Sequence, residues 1–263
     1  MGKMMKYLKQ YQILCGFFLT ICLLRLWGGS LLPAGLEGEK ETEVSSVVWS
    51  GQGEMFHEKE SAEKRETEKE ETVKREKALP PKIALTFDDG PSRYTEKLLE
   101  GLQKRGVKAS FFMIGESAER NQDLVRRVKE EGHLIGNHTY HHVDVTKLSD
   151  EKAREELKEM DRVIYEILGE HVEYMRPPFG VWQEKLEQEI DVLPVMWTID
   201  PLDWTTKNVE EIVNKVVTQA GENDIILLHD CYESSVDAAL RIVDVLKAEG
   251  YEFVTVDQLI LGC

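Results

Sequence analysis

The chain has 263 residues, 31% of them charged, and a formal net charge of -16 at pH 7. So acidic a protein repels nucleic acid and anionic membrane surfaces, which makes its body a poor candidate for binding either; no protein partner is indicated. Of the four cysteines, Cys15 and Cys22 lie in an apolar N-terminal stretch. Only Cys231 and Cys263 remain, which excludes a disulfide framework or a cysteine zinc site.

In chain order, residues 1–33 come first. Lys3, Lys6 and Lys9 precede the uncharged run ILCGFFLTICLL, and Arg25 follows it. A basic flank ahead of an apolar core is the pattern of a signal anchor or a signal peptide. Carried on to Leu32, the segment is just long enough to span a bilayer, with Arg25 snorkelling. The positive flank places the N-terminus in the cytoplasm and everything after it outside. The expected location is the cell membrane, single-pass with the folded domain outside, or secretion if the segment is cleaved. Residues 34–79 form a charged low-complexity linker that includes HEKESAEKRETEKEETVKREK. With no apolar period it cannot offset its ordering entropy, so it reads as a disordered spacer or a solvated tail.

From residue 80 to 263 short apolar runs alternate with amphipathic stretches. Strands are predicted at 83–87, 109–114, 134–137, 173–176, 193–198, 224–228 and 252–256. Helical patterns lie between them, and several end in glycine where a C-cap belongs. This alternation predicts an α/β fold with a parallel sheet, open or closed into a barrel. In either form, functional residues gather at the C-terminal ends of the strands.

Five strand ends carry polar groups. The first strand runs into Asp88 and Asp89 in TFDDGP. At a strand-to-loop turn two adjacent carboxylates can face one site, although Asp before Gly-Pro also serves as a helix cap or Asx turn. The third strand runs into GNHTYHH. His138 and His142, four apart, share a face if they lie on one helical turn, and His141 between them points to solvent. With a carboxylate from a neighbouring strand they form a facial triad that leaves metal positions open. One aspartate then ligates and the other acts as a base on the bound water. MRPPFG adds Arg176, Phe179 and Gly180, WTIDPLDW adds Asp200, Asp203 and Trp204, and IILLHD adds Leu227, His229 and Asp230. Each has a purely structural explanation, but five such explanations on one face are harder to sustain than one convergent site. Cys231 next to the last motif reads as a small buried apolar residue.

With these residues in place, the segment from about 81 to 260 resembles the polysaccharide deacetylases of carbohydrate esterase family 4, the NodB homology domain. Its five motifs stand in order as TFDDG, HTYHH, RPPFG, DPLDW and LLH. The resemblance implies a distorted (β/α) barrel of about seven parallel strands. It also implies that Asp89, His138 and His142 bind a divalent metal, usually zinc. Asp88 would be the base that takes a proton from the metal-bound water, and His229 the acid that protonates the leaving amine. Arg176 would hold Asp88 charged and in place, and Asp203 would do the same for His229. The backbone N–H of Phe179 would bind the oxyanion, and Trp204 and Leu227 would wall the acetyl pocket. Many members have Tyr where this chain has Phe179, a change that leaves a backbone donor intact.

The implied activity is removal of N-acetyl groups from an extracellular polysaccharide. The membrane segment points to peptidoglycan ahead of chito-oligosaccharides or acetylxylan. Peptidoglycan is itself anionic, so binding would rest on local contacts, with Tyr140, Trp182 and Trp204 as candidates for stacking on sugars. Two other classes share part of the pattern. A non-haem iron oxygenase uses two His and a carboxylate but has no need of Asp88 or His229. A non-catalytic glycan-binding protein would leave the base and acid unexplained.

Overall fold

The computed structural model of the chain describes residues 79–183, 185–186 and 191–262. The N-terminal apolar segment, nearly all of the charged linker and Cys263 lie outside the described residues. Among the described residues no helix is long and apolar enough to cross a membrane.

The elements in order are β1 Lys82–Asp88, α1 Thr95–Arg105, β2 Ser110–Met113, α2 Gly115–Arg120, α3 Gln122–Glu130, β3 Leu134–Asn137, α4 Asp150–Leu168, β4 Tyr174–Met175, β5 Leu193–Pro194, α5 Val209–Val217, β6 Ile225–His229, α6 Glu233–Ala248, β7 Glu252–Val254 and α7 Val256–Leu261. The seven strands form one sheet in the order β5-β4-β3-β2-β1-β6, and β7 pairs with the first half of β1. Every pairing is parallel. The helices stop where local chemistry stops them. Gly106 and Gly169 close α1 and α4 in left-handed conformations, and the Ser149 side chain caps the start of α4.

The sheet curls until its two ends meet. Val195 N–H donates to Met175 O on β4 at 2.7 Å, and three residues later Thr198 and Ile199 donate to Ile225 O of β6. The expected strand over 193–198 is therefore only two residues long, because the segment changes partner midway. Between the two pairings, the carbonyls of Val195 and Met196 accept from the Arg176 guanidinium instead of a ladder. The expected strand over 173–176 likewise shrinks to Tyr174–Met175. Two helices are new, Gly115–Arg120 directly after β2 and Val256–Leu261 directly after β7.

Strand alternation sorts the core. Ile83, Leu85 and Phe87 of β1 join Phe111, Met113, Ile226 and Leu228 in the large cluster that also takes in helix residues. Ala84, Thr86 and Asp88 face the other way, into the curl. By register, Thr86 lies beside Leu227 and Ser110, and Asp88 beside His229 and Phe112. The interior holds a small apolar set, Ala84, Phe112, Tyr174, Val195 and Val256. Gly136 is required there, since a Cβ would lie 2.5 Å from the Phe112 ring.

Candidate active site

The inner face of the sheet turns polar at its C-terminal end, and Arg176 is the reason it can. This side chain is fully buried. Its Nη1 donates to Asp88 Oδ1 at 2.9 Å and to Thr86 Oγ1 at 2.7 Å, and its Nε donates to Val195 O at 3.1 Å. The guanidinium also lies over the Phe112 ring, 4.2 Å from its centroid. The chain thus fills the curl with one cation whose donors are nearly all spoken for, which is what a buried charge requires. Asp88, itself buried, is fixed by that bond with Oδ2 left on the side of His138, 3.8 Å from its Nε2.

Asp89 leaves the strand with a left-handed φ of 71°, and so its carboxylate does not alternate outward. Its Oδ1 lies 3.5 Å from His138 Nε2 and 3.3 Å from His142 Nε2. The three donor groups all lie within 4.8 Å of one another. The two histidines are not on a helical turn as their spacing predicts. They sit on a loop, and left-handed conformations at Thr139 and His142 bring the rings together. His141 swings away, with its backbone N–H and ring held by Glu156. His138 Nδ1 is 2.6 Å from Arg176 O. A carbonyl only accepts, so Nδ1 carries a proton and Nε2 is the nitrogen that faces Asp89.

Opposite this cluster stands His229. Asp203, fully buried, accepts from its Nδ1 at 2.8 Å and from its backbone N–H at 2.9 Å. Burial alone would lower the His229 pKa, but the Asp203 bond and charge, with Asp88 and Asp89 behind them, raise it to about 9. The ring is therefore a cation at neutral pH. Asp89 is the reverse case: burial would raise it, but His138, His229 and His142 hold it below the usual carboxylate range. Burial keeps His142 below the ordinary imidazole value.

The remaining predicted residues fall around the mouth. Phe179 has a φ of 61° in the Pro178–Gly180 turn, its ring 4.9 Å from that of His142 and 66% exposed. Trp204 is 55% exposed on the Asp203–Thr205 turn, and Leu227 is buried beside Thr86. Tyr140 and Trp182 are not free sugar platforms. Tyr140 packs over Gly115 with its hydroxyl donating to Glu119, and Trp182 packs against the buried cluster of Val145, Ala153 and Leu186. Tyr232 takes a place the sequence reading did not give it, exposed and 6.4 Å from the His229 ring. Cys231 is half-buried rather than core, with Sγ 3.9 Å from Asp89 Oδ2 and its thiol pushed up to about 12, mainly by burial. Asp230 is fully buried, and burial raises its carboxyl to about 7.

Fold and site together define an α/β protein with an Asp–His–His cluster of metal-ligand geometry at the mouth of a curled parallel sheet. The profile of the family described as polysaccharide deacetylase matches residues 75–196. The peptidoglycan-N-acetylglucosamine deacetylase PgdA of Listeria monocytogenes is 36% identical over 68% of this chain and 38% of its own length. A peptidoglycan-N-acetylglucosamine deacetylase of Bacillus cereus is 40% identical over 68% of this chain and 87% of its own length. The solved structure of peptidoglycan deacetylase PdaC from Bacillus subtilis superposes with a TM-score of 0.67 at 36% identity, covering 68% of this chain and 90% of that one. The chain belongs to the polysaccharide deacetylase family. It spans well under half the length of the Listeria relative it matches.

Proposed function

We propose that this protein is a metal-dependent N-deacetylase of peptidoglycan glycan, working at the outer face of the cell membrane. The observation that carries the reading is the pairing of two acid–base units across one cluster. Asp88 is locked by Arg176 on one side, and His229 is locked and charged by Asp203 on the other. The relatives support the substrate class, since the names of those in Listeria and Bacillus cereus specify peptidoglycan. The apolar N-terminal segment supports the location.

The residues fit a divalent ion on their own evidence. Asp89 Oδ1 is buried and has no hydrogen-bond partner among the described residues, although two imidazole nitrogens stand 3.3 and 3.5 Å away. An oxygen left bare between two lone-pair donors is what a cation would satisfy. One carboxylate and two imidazoles suit zinc. When bound, such an ion polarises the acetamide carbonyl and makes a water acidic enough to attack at neutral pH.

Asp88 is placed to receive the proton of that water through Oδ2, because Oδ1 is occupied by Arg176. As such a water added to the acetamide carbon, the backbone N–H of Phe179 would stabilise the negative charge developing on oxygen. His229 then gives its Nε2 proton to the sugar nitrogen as the C–N bond breaks, leaving acetate and a free amine. Asp203 keeps Nδ1 protonated throughout, so only Nε2 exchanges its proton. Leu227 and Trp204 bound the space for the acetyl methyl, and the exposed Phe179, Trp204 and Tyr232 rings line the approach for sugar faces.

The test is acetate release by the zinc-loaded full chain from peptidoglycan and from chito-oligosaccharides. Asp88→Asn serves as the control, and the sugar that gains an amine is identified by mass spectrometry of muramidase digests. Acetate from peptidoglycan, lost in the variant while zinc stays bound at one per chain, is the expected result. Stoichiometric zinc with no acetate from peptidoglycan would refute the substrate. Release undiminished in Asp88→Asn would refute the base.

A further inference from the structure

Asp230 has no part in that chemistry, yet it is a fully buried carboxylate directly behind it. Burying a charge-capable group is costly, so the contacts it keeps are informative. Thr95 Oγ1 donates to Oδ2 at 2.5 Å, and Oδ1 has no partner among the described residues. The backbone carbonyl of Asp230 accepts from Ser92 Oγ at 2.7 Å. Ser92 N–H donates to Thr95 Oγ1 at 2.7 Å and closes a ring of hydrogen bonds around the start of α1. On its other side the carboxylate lies flat against Gly90, where a Cβ would stand 2.5 Å from either oxygen. Gly90 O in turn accepts from Ile114 N–H at 3.0 Å, just past the end of β2.

The segment 90–95 is therefore clamped between the ends of β6 and β2, and Asp230 is the part of the clamp that touches it at three points, Gly90, Ser92 and Thr95. The residue immediately before this segment is Asp89, held at a φ of 71°. A left-handed conformation is unfavourable for a non-glycine residue and persists where its surroundings over-determine it. The hydrogen bonding of Asp89 itself gives it little hold, since Oδ1 is bare and Oδ2 accepts only the long 3.9 Å contact from Cys231 Sγ.

We propose that Asp230 is a positioning residue whose carboxylate sets the turn after β1 and so aims Asp89 at His138 and His142, while Asp88 stays in the sheet. The proposal rests on the metal reading above and deepens it. It explains why position 90 must be glycine, and why a chain would bury an acid one residue beyond its proton donor.

The test uses the full chain and Co2+ as the probe. Affinity is read by competition with a chelating dye, geometry by the visible ligand-field spectrum of the bound ion, and turnover by acetate release. Asp230→Ala and Thr95→Val are each expected to weaken Co2+ binding about 10- to 100-fold, the range seen when groups that orient metal ligands are removed. Both should alter the spectrum and lower kcat with KM unchanged. Asp230→Asn keeps an oxygen for Thr95, and Thr95→Ser keeps the donor, so each should restore most of the affinity. If Asp230→Ala does not fold, the nearly isosteric Thr95→Val carries the test. Wild-type affinity and spectrum in the Ala and Val variants, with only the melting temperature lowered, would overturn the proposal and leave Asp230 a packing residue. Wild-type protein that takes up no Co2+ would overturn the metal reading itself, and this proposal with it.

Discussion

Asp203→Asn is the substitution that probes the site most directly. Asp203 accepts two hydrogen bonds from His229, one from its ring and one from its backbone. Asparagine has one acceptor oxygen, so its NH2 must face one of those two donors. A buried charge-assisted bond is lost, at a cost of about 1.5–3 kcal/mol. The proton on His229 is lost with it. The rise from 6.5 to about 9 comes mostly from Asp203. At pH 7 a pKa near 9 leaves about 99% of the ring protonated, whereas one near 6.5 leaves roughly a quarter. Because the folded value lies above the unfolded one, this stabilisation is present in full below about pH 6.5 and disappears as pH rises through about 9. For the metal-free protein it amounts to roughly 3 kcal/mol. The assay is a pH profile of kcat/KM for acetate release, with urea unfolding of the metal-free protein at acid and alkaline pH. The alkaline limb should move down by more than one pH unit, and activity at mildly alkaline pH should fall about 100-fold, a general acid's share. Wild type should lose stability between the two pH values, and the variant should lose clearly less. An alkaline limb that coincides in the two proteins would refute the assignment of His229 as the acid.

Arg176→Met removes the guanidinium bonded to the buried Asp88 and should cost about 3–5 kcal/mol in urea unfolding at neutral pH, because a buried carboxylate loses its hydrogen-bonded partner. Adding Asp88→Asn to it should recover part of that loss, and strict additivity of the two substitutions would count against the pairing. Leu227→Ala should enlarge the acyl pocket, raising the rate on N-propionyl relative to N-acetyl chito-oligosaccharide by about tenfold. An unchanged ratio would mean that Leu227 does not wall the pocket.

The alternation of strands and helices was legible because local periodicity encodes it. Ile83, Leu85 and Phe87 alternate with Ala84, Thr86 and Asp88 in a run short enough to be a buried strand, and the strands at 83–87, 134–137 and 224–228 are found within a residue or two. The cluster of Asp89, His138 and His142 was legible through residue type and spacing, although the loop that assembles it was not. Left-handed backbones at Asp89, Thr139 and His142 leave little trace in a sequence that uses no glycine there. The break in the strand after Leu193 was likewise hidden, since Val195 and Met196 give up ladder bonds to an arginine about twenty positions away.

What the sequence determined by itself, then, is which residues can lie on one face of a strand and which chemical types gather at the strand ends. Only the tertiary structure decided which of them meet. Arg176 reaches Asp88 across 88 positions, and Asp230 reaches Thr95 across 135. It also decided that Trp204 and Tyr232 stand exposed while Tyr140 and Trp182 are packed away. The reason is physical. Periodicity is a property of a few neighbouring residues, whereas a buried charge finds its partner through the register and curl of the whole sheet.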